Sequence, residues 1–248
     1  MSTHDLVARV RDVKKSYALG LNAVEVLRGL SMEVGRRELV AVMGPSGVGK
    51  STLLNCIAGL DVPDEGRIEV LGRDLATMDD EARTLERRHR IGIIYQFFNL
   101  VPNLDVRENV MLPYLIDGVE PDQAAITRAL SRVGMEHRTS HLPAQLSGGE
   151  MQLVSIARAI VRKPKLILAD EPTGNVNVAT GKKIMALMRE VLHESESAMM
   201  MVTHNPEDAG KADRVLFLQD GLIDHDTALV ADDVTVANIH ARLQELGI

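Results

Sequence analysis

The stretch ELVAVMGPSGVGKSTLLNCIAGL, residues 38–60, decides how this chain is read. Its first six residues are apolar after one acid and predict a short strand. Its last ten place Leu53, Leu54, Ile57 and Leu60 at offsets that fit a helix with one buried stripe. Between them, Gly44-Pro45-Ser46-Gly47-Val48-Gly49-Lys50-Ser51 fits G-x-x-x-x-G-K-[ST] at every fixed position. The strand–loop–helix setting is the one this motif requires. Glycines let the backbone curl so that successive N–H groups point at phosphate oxygens. The helix N-terminus adds positive potential. Lys50 is then placed to reach the β- and γ-phosphates, and the Ser51 hydroxyl to hold Mg²⁺.

The second half of such a site lies about 120 residues further on, where KLILAD ends in Asp170 and Glu171 follows. A four-residue apolar run ending in acid suits a strand in the buried middle of a parallel sheet. An acid at its end binds Mg²⁺ directly or through water, and its neighbour can polarise an attacking water. Two solvated acids are the bland alternative. Together the two elements define a P-loop nucleoside triphosphatase, a class that spans kinases, GTPases, helicases and motors.

The composition narrows the setting. With 35 Asp+Glu against 28 Lys+Arg the net charge is −7, which argues against a general nucleic-acid binder. Aromatics at 2% and no Trp leave little for base stacking on a nucleic-acid surface. A chain of 248 residues, 45% hydrophobic, has ample core for a globular fold, and that excludes whole-chain disorder. The single Cys56 excludes a disulfide scaffold and reads as a small buried apolar residue. No apolar run approaches a spanning helix, and the opening MSTHDLVARVRDV lacks the apolar core of a signal peptide.

Outward from the phosphate loop, LVARVRDV, AVEVLRGLSMEV, RIEVLG and IGIIYQ read as strands. Residues 79–90 read as a solvated helix, acidic at the start and basic at the end. Residues 96–162 switch to helices and loops punctuated by Pro102, Pro113, Pro121 and Pro143, and read as an inserted helical subdomain. AMMMVTH and DRVLFLQDG add two strands, with helices near residues 178–195 and after Pro206. The expected fold is α/β: a core from residues 1–95 and 163–226 that includes an antiparallel β subdomain, then a C-terminal helix over 227–248. Ile239, Leu243 and Leu246 form that helix's apolar stripe, expected to pack on the chain's own core.

Further motifs are similar to those of one family. Leu146-Ser147-Gly148-Gly149-Glu150 resembles the signature motif of the ABC ATPases. Gln96 stands at that family's Q-loop, Asp170 and Glu171 at its Walker B position, and Gly174-Asn175-Val176-Asn177 at its D-loop. His204 stands at its switch histidine, and Tyr17 where an aromatic ring stacks on adenine. The resemblance runs from about residue 5 to 226. It implies ATP contacts from Tyr17 and from Gly44, Pro45, Ser46, Gly47, Val48, Gly49, Lys50, Ser51 and Thr52. It implies Mg²⁺ held by Ser51, Gln96 and Asp170, and catalysis by Glu171, His204, Lys50 and Gln96. It implies two subunits closing on ATP, homomeric or heteromeric, with Ser147, Gly148, Gly149 and Glu150 serving the opposite subunit's nucleotide. A separately encoded membrane permease subunit would hold the chain at the cytoplasmic face. YQFFNLVPNLDVRENVMLP and LADEPTGN resemble the branch of lipoprotein-release and macrolide-export ATPases.

Each landmark keeps its plainer alternative: strand packing for Tyr17, a solvated loop for Gln96, a core histidine for His204 and a helix cap for Ser147. Phe97 to Val101 is apolar for a loop, either a groove for a partner's helix or a segment buried under the helical subdomain. Two departures stand out. Asn177 replaces the D-loop Asp, keeping one acceptor but losing the charge. Met151 and Leu153 replace polar and basic residues after the signature, as a surface for a partner or as a relaxed motif. These departures keep open a second function, an ATP-dependent dimerisation switch that hydrolyses slowly.

Overall fold

The computed structural model describes residues 6–20 and 22–248, so the first five residues of the opening stretch lie outside the described residues. The chain begins with β1 (Leu6–Leu19), β2 (Asn22–Gly35) and β3 (Leu39–Met43), then α1 (Lys50–Ile57), β4 (Glu65–Val70) and β5 (Arg73–Asp74). Strands β1, β2, β4 and β5 form an antiparallel sheet in the order β2-β1-β4-β5. Next come α2 (Asp80–Arg90), β6 (Ile91–Ile94), α3 (Val106–Ile116), α4 (Gln123–Arg132) and α5 (Gly148–Ile160). The last third holds β7 (Leu166–Asp170), α6 (Val178–Glu194), β8 (Ala198–Thr203), α7 (Pro206–Ala209), β9 (Arg214–Gln219), β10 (Leu222–Ile223), β11 (Leu229–Val230) and α8 (Val236–Leu246).

The second sheet runs β10-β9-β3-β8-β7-β6, with β11 also on β9. Its five central strands are parallel; β10 and β11 return antiparallel. Parallel strands buried on both faces need apolar side chains at every position. Strand β8 supplies Met199 to Met201 and Val202, all fully buried. Alternate residues serve two cores. Met199 and Met201 join the layer of α3 to α6 and α8, while Met200 and Val202 join the layer of α1 and the antiparallel sheet. Cys56 lies buried in the second layer, and burial pushes its thiol up to about 12.

One sequence reading changes. Pro113 does not punctuate; it sits inside α3. Its missing N–H costs one helical bond, but Val106 and Val110 are fully buried and Arg162 bonds the Pro113 carbonyl at 3.3 Å. Packing outweighs the local penalty. Met151 and Leu153 are both half-buried and pack against the chain's own helical core. In the C-terminal helix, Ile239 is fully buried and Leu243 and Leu246 pack beside it, as the stripe predicts.

Candidate active site

Sheet register assembles the site. Strands β3, β8 and β7 are neighbours, with Met43 opposite Thr203 and Val202 opposite Asp170. The next residues, Gly44, His204 and Glu171, therefore emerge at one edge. Strand β6 ends at Ile94 opposite Ala169, which brings Gln96 to the same edge. Ligands of parallel α/β sheets bind at this carboxyl end.

The phosphate loop keeps its shape for steric reasons. A Cβ on Gly44 would stand 2.3 Å from the Leu218 carbonyl of β9. Gly49 caps α1 at φ 111°, and a Cβ there would meet Val26 of β2 at 2.9 Å. Only glycine serves at both positions. Lys50 is buried, its Nζ donating to the carbonyls of Gly44 (2.8 Å) and Pro45 (2.9 Å). Burial lowers its affinity for the proton; Glu171 and Asp170 nearby oppose that.

A cavity of about 390 Å³ opens over this loop. Ser46, Gly47, Gly49, Lys50, Ser51 and Thr52 line its floor, and Tyr17 and Val26 one end. Gln96, Asp170, Glu171 and His204 line the rest. Burial raises the proton affinity of Asp170, against a hydrogen bond from Ser51. A hydroxyl, a half-buried carboxylate and an amide oxygen are a hard donor set, one that fits Mg²⁺ held jointly with phosphate oxygens. Among the described residues no cluster of three His, Cys, Asp or Glu could cage a metal by itself.

Glu171 is buried and sits at φ 46°, the left-handed region, with its N–H donating to Val202 O at 3.0 Å. That turn directs the carboxylate to the neighbouring strand's end. His204 Nδ1 donates to Glu171 Oε1 at 2.8 Å, and the His204 backbone N–H to Oε2 at 3.4 Å. The bond assigns the proton to Nδ1 and leaves Nε2 for another partner. The imidazole is 65% exposed, so it is not a core histidine.

Two predicted groups stand apart from this cavity. Ser147 caps α5: its Oγ accepts from Glu150 N–H at 3.3 Å, while Glu150 Oε2 accepts from Ser147 N–H and Oγ–H, each at 2.8 Å. Asn177 caps α6, its Oδ1 accepting from Thr180 N–H at 2.9 Å. Neither lines the pocket of its own chain.

Sequence reading missed two polar anchors, one partly buried and one fully buried. Arg158 of α5 donates to the carbonyls of Phe98 (2.8 Å) and Asn99 (2.6 Å), both left-handed residues just after Gln96. Gln152 Nε2 donates to Pro172 O at 2.8 Å, tying α5 to the turn after Glu171. A lone Arg on the apolar stretch SIARAIV was the available signal. The apolar stretch from Phe97 divides between its two readings: Phe97 is 72% exposed, while Leu100 packs on the core. Beside it a groove of about 450 Å³ runs between α2–β6 and α3–α5, lined by Ile91, Leu112 and Ile116 and by four arginines.

A mononucleotide-sized pocket over a phosphate loop, with an acid pair and a histidine opposite, defines a P-loop nucleoside triphosphatase. The model of the ABC transporter family matches residues 27–174. The chain is 41% identical over 222 residues to the lipoprotein-releasing system ATP-binding protein LolD of Ruegeria sp. (strain TM1040), covering 88% of this chain and 98% of that one. It is 46% identical over 214 residues to the protein of the same name from Pseudomonas fluorescens, covering 85% and 94%. A solved ATP-binding cassette, a dimer in a post-hydrolysis state bound to ADP and phosphate, superposes with a TM-score of 0.82 at 35% identity, over 88% of this chain and 97% of that one. The chain belongs to the ABC transporter family, as an ATP-binding and ATP-hydrolysing member.

Proposed function

We propose that this chain closes as an ATP-sandwich dimer and drives a separate integral membrane subunit, as an exporter or force-transmitting ATPase of the lipoprotein-release type. The carrying observation is the Glu171–His204 pair, 2.8 Å apart and facing Lys50 across one cavity. In this reading the nucleophile is water. Glu171 takes its proton, Lys50 stabilises charge on the transferred phosphoryl group, and His204 orients the Glu171 carboxylate through their hydrogen bond. Tyr17 stacks on adenine. Ser51, Gln96 and Asp170 would hold Mg²⁺, which would neutralise phosphate charge.

Ser147 and the N–H groups of Gly148 and Gly149 serve the γ-phosphate of the opposite subunit. The Ser147 cap leaves these N–H groups at a helix start, suited to an anion. ATP then joins the subunits and hydrolysis releases them. Residues 96–162 act as one unit, and the groove beside Phe97 receives a short helix of the membrane subunit. Among the described residues no helix is long and apolar enough to cross a membrane, so attachment to the cytoplasmic face would be through that partner.

The test is MgATP hydrolysis by wild type beside Glu171→Gln, with sizing in ATP. Loss of a general base lowers turnover by about 100-fold or more, and the variant accumulates as an ATP-bound dimer. A Glu171→Gln variant that turns over like wild type would end this assignment. Asn177 favours a second reading, the slow switch. It predicts ATP-dependent dimers of wild type with negligible turnover even with a membrane partner.

A further inference from the structure

The antiparallel sheet carries Tyr17 beyond its own support. Strand β1 pairs with β4 only as far as Lys14–Glu65; from Lys15 onward it is held laterally by β2 alone. The end of such a two-stranded ribbon is marginally stable. Yet Tyr17 is held in place, and the holder is Asp61. The Tyr17 hydroxyl donates to Asp61 Oδ2 at 2.5 Å, and Lys15 Nζ stands 2.9 Å from Asp61 Oδ1. Lys15 Nζ also donates to Val62 O at 2.8 Å and lies 5.3 Å from the Tyr17 ring centroid, over one face. Tyr17 lines the nucleotide cavity; Lys15 and Asp61 do not.

Asp61 is itself fixed to the phosphate loop's helix. Its N–H donates to Asn55 O of α1 at 3.2 Å, and its Oδ1 accepts from Val62 N–H at 2.9 Å. Asp64, three residues on, accepts from Ser16 N–H at 2.6 Å, and its own N–H donates to Lys14 O at 2.9 Å. One short segment after α1 thus ties down the strand end that bears Tyr17. Burial opposes ionisation of Asp61, but the bonds from Tyr17 and Lys15 hold its carboxyl below the usual range. Burial, then the bond to Asp61, raises the Tyr17 phenol, so it stays a donor.

We propose that Asp61 is a positioning residue for the nucleobase subsite: it fixes the Tyr17 ring, with Lys15 over one face, at a set place relative to the phosphate loop. This rests on the reading of Tyr17 as the adenine platform. The cation over one face draws electron density from the ring and leaves the other face for an electron-rich base. A platform ordered before binding spares the ordering cost when ATP arrives.

The experiment compares wild type, Asp61→Asn, Asp61→Ala, Tyr17→Ala and Tyr17→Ala/Asp61→Ala in the full chain. It reads affinity for ATP and for inorganic triphosphate, which lacks the base, with KM and kcat for MgATP. Asp61→Ala should weaken ATP binding and raise KM by about 3- to 10-fold, with kcat moving far less and triphosphate affinity unchanged. Asp61→Asn keeps one acceptor and should cost less. In the Tyr17→Ala background the Asp61 effect should vanish. Equal weakening of ATP and triphosphate would mean that Asp61 merely supports α1, and the proposal fails. Unchanged ATP affinity in Asp61→Ala beside a weakened Tyr17→Ala overturns the proposal alone. Unchanged ATP affinity in Tyr17→Ala overturns the platform reading and the proposal with it.

Discussion

At Asn177 the side chain has two polar ends with different duties. Its Oδ1 is committed to Thr180 N–H at the start of α6. Its Nδ2 stands where an aspartate would carry its second carboxylate oxygen. Asn177→Asp keeps the cap, and its charge suits the helix N-terminus, so thermal stability should hold or rise slightly. If the missing charge slows the opposite nucleotide site, the same substitution raises ATP turnover. Turnover that stays flat or drops in a stably folded Asn177→Asp protein would show that the asparagine is not what limits the rate.

Among the elements, α5 links most of the site. Its N-terminus presents Gly148 and Gly149, Gln152 reaches the turn after Glu171, and Arg158 holds the loop after Gln96. Its first turn depends on an ionised Glu150. Bonds from Ser147 N–H and Oγ–H, with Arg138 near, depress the Glu150 carboxyl below its ordinary 4.5. A depressed carboxyl stabilises the fold above its unfolded value, and that contribution disappears as pH falls through the folded one. Urea unfolding of wild type and Glu150→Gln against pH should therefore show a constant difference above about pH 5. The difference should shrink as the pH drops below 4.5. A gap independent of pH would mean that the charge on Glu150 contributes nothing to the cap.

For the whole molecule, one cavity joins parts that the chain brings from far apart. Asp170 is a half-buried carboxylate whose desolvation raises its proton affinity, a cost that a bound cation would remove. ATP at about 100 times its Kd stabilises a protein by about 2.7 kcal/mol. Wild type should gain more from ATP with Mg²⁺ than from ATP in EDTA, read as a melting shift. Asp170→Asn should lose that extra gain and keep the EDTA value. If the variant retained the full Mg²⁺ effect, Asp170 would not be a metal ligand.

The division between sequence and tertiary structure follows the range of the interactions. Gly44 to Ser51, the apolar run before Asp170 and the stripe of α8 were legible because each is a pattern within one local segment. Strand periodicity, helix offsets and the phosphate loop's own spacing decided the α/β fold, the loop's place and the carboxyl-end site. Long-range register decided the rest. Glu171 meets His204 only because β7 and β8 are neighbours, 33 residues apart in sequence. Asp61 meets Tyr17 across 44 residues, and Arg158 meets Phe98 across 60. Local rules also misjudged Pro113, where packing of α3 outweighs one lost bond. Spacing along the chain determines which groups can do the chemistry; the strand order β9-β3-β8-β7-β6, packed on both faces, brings them together.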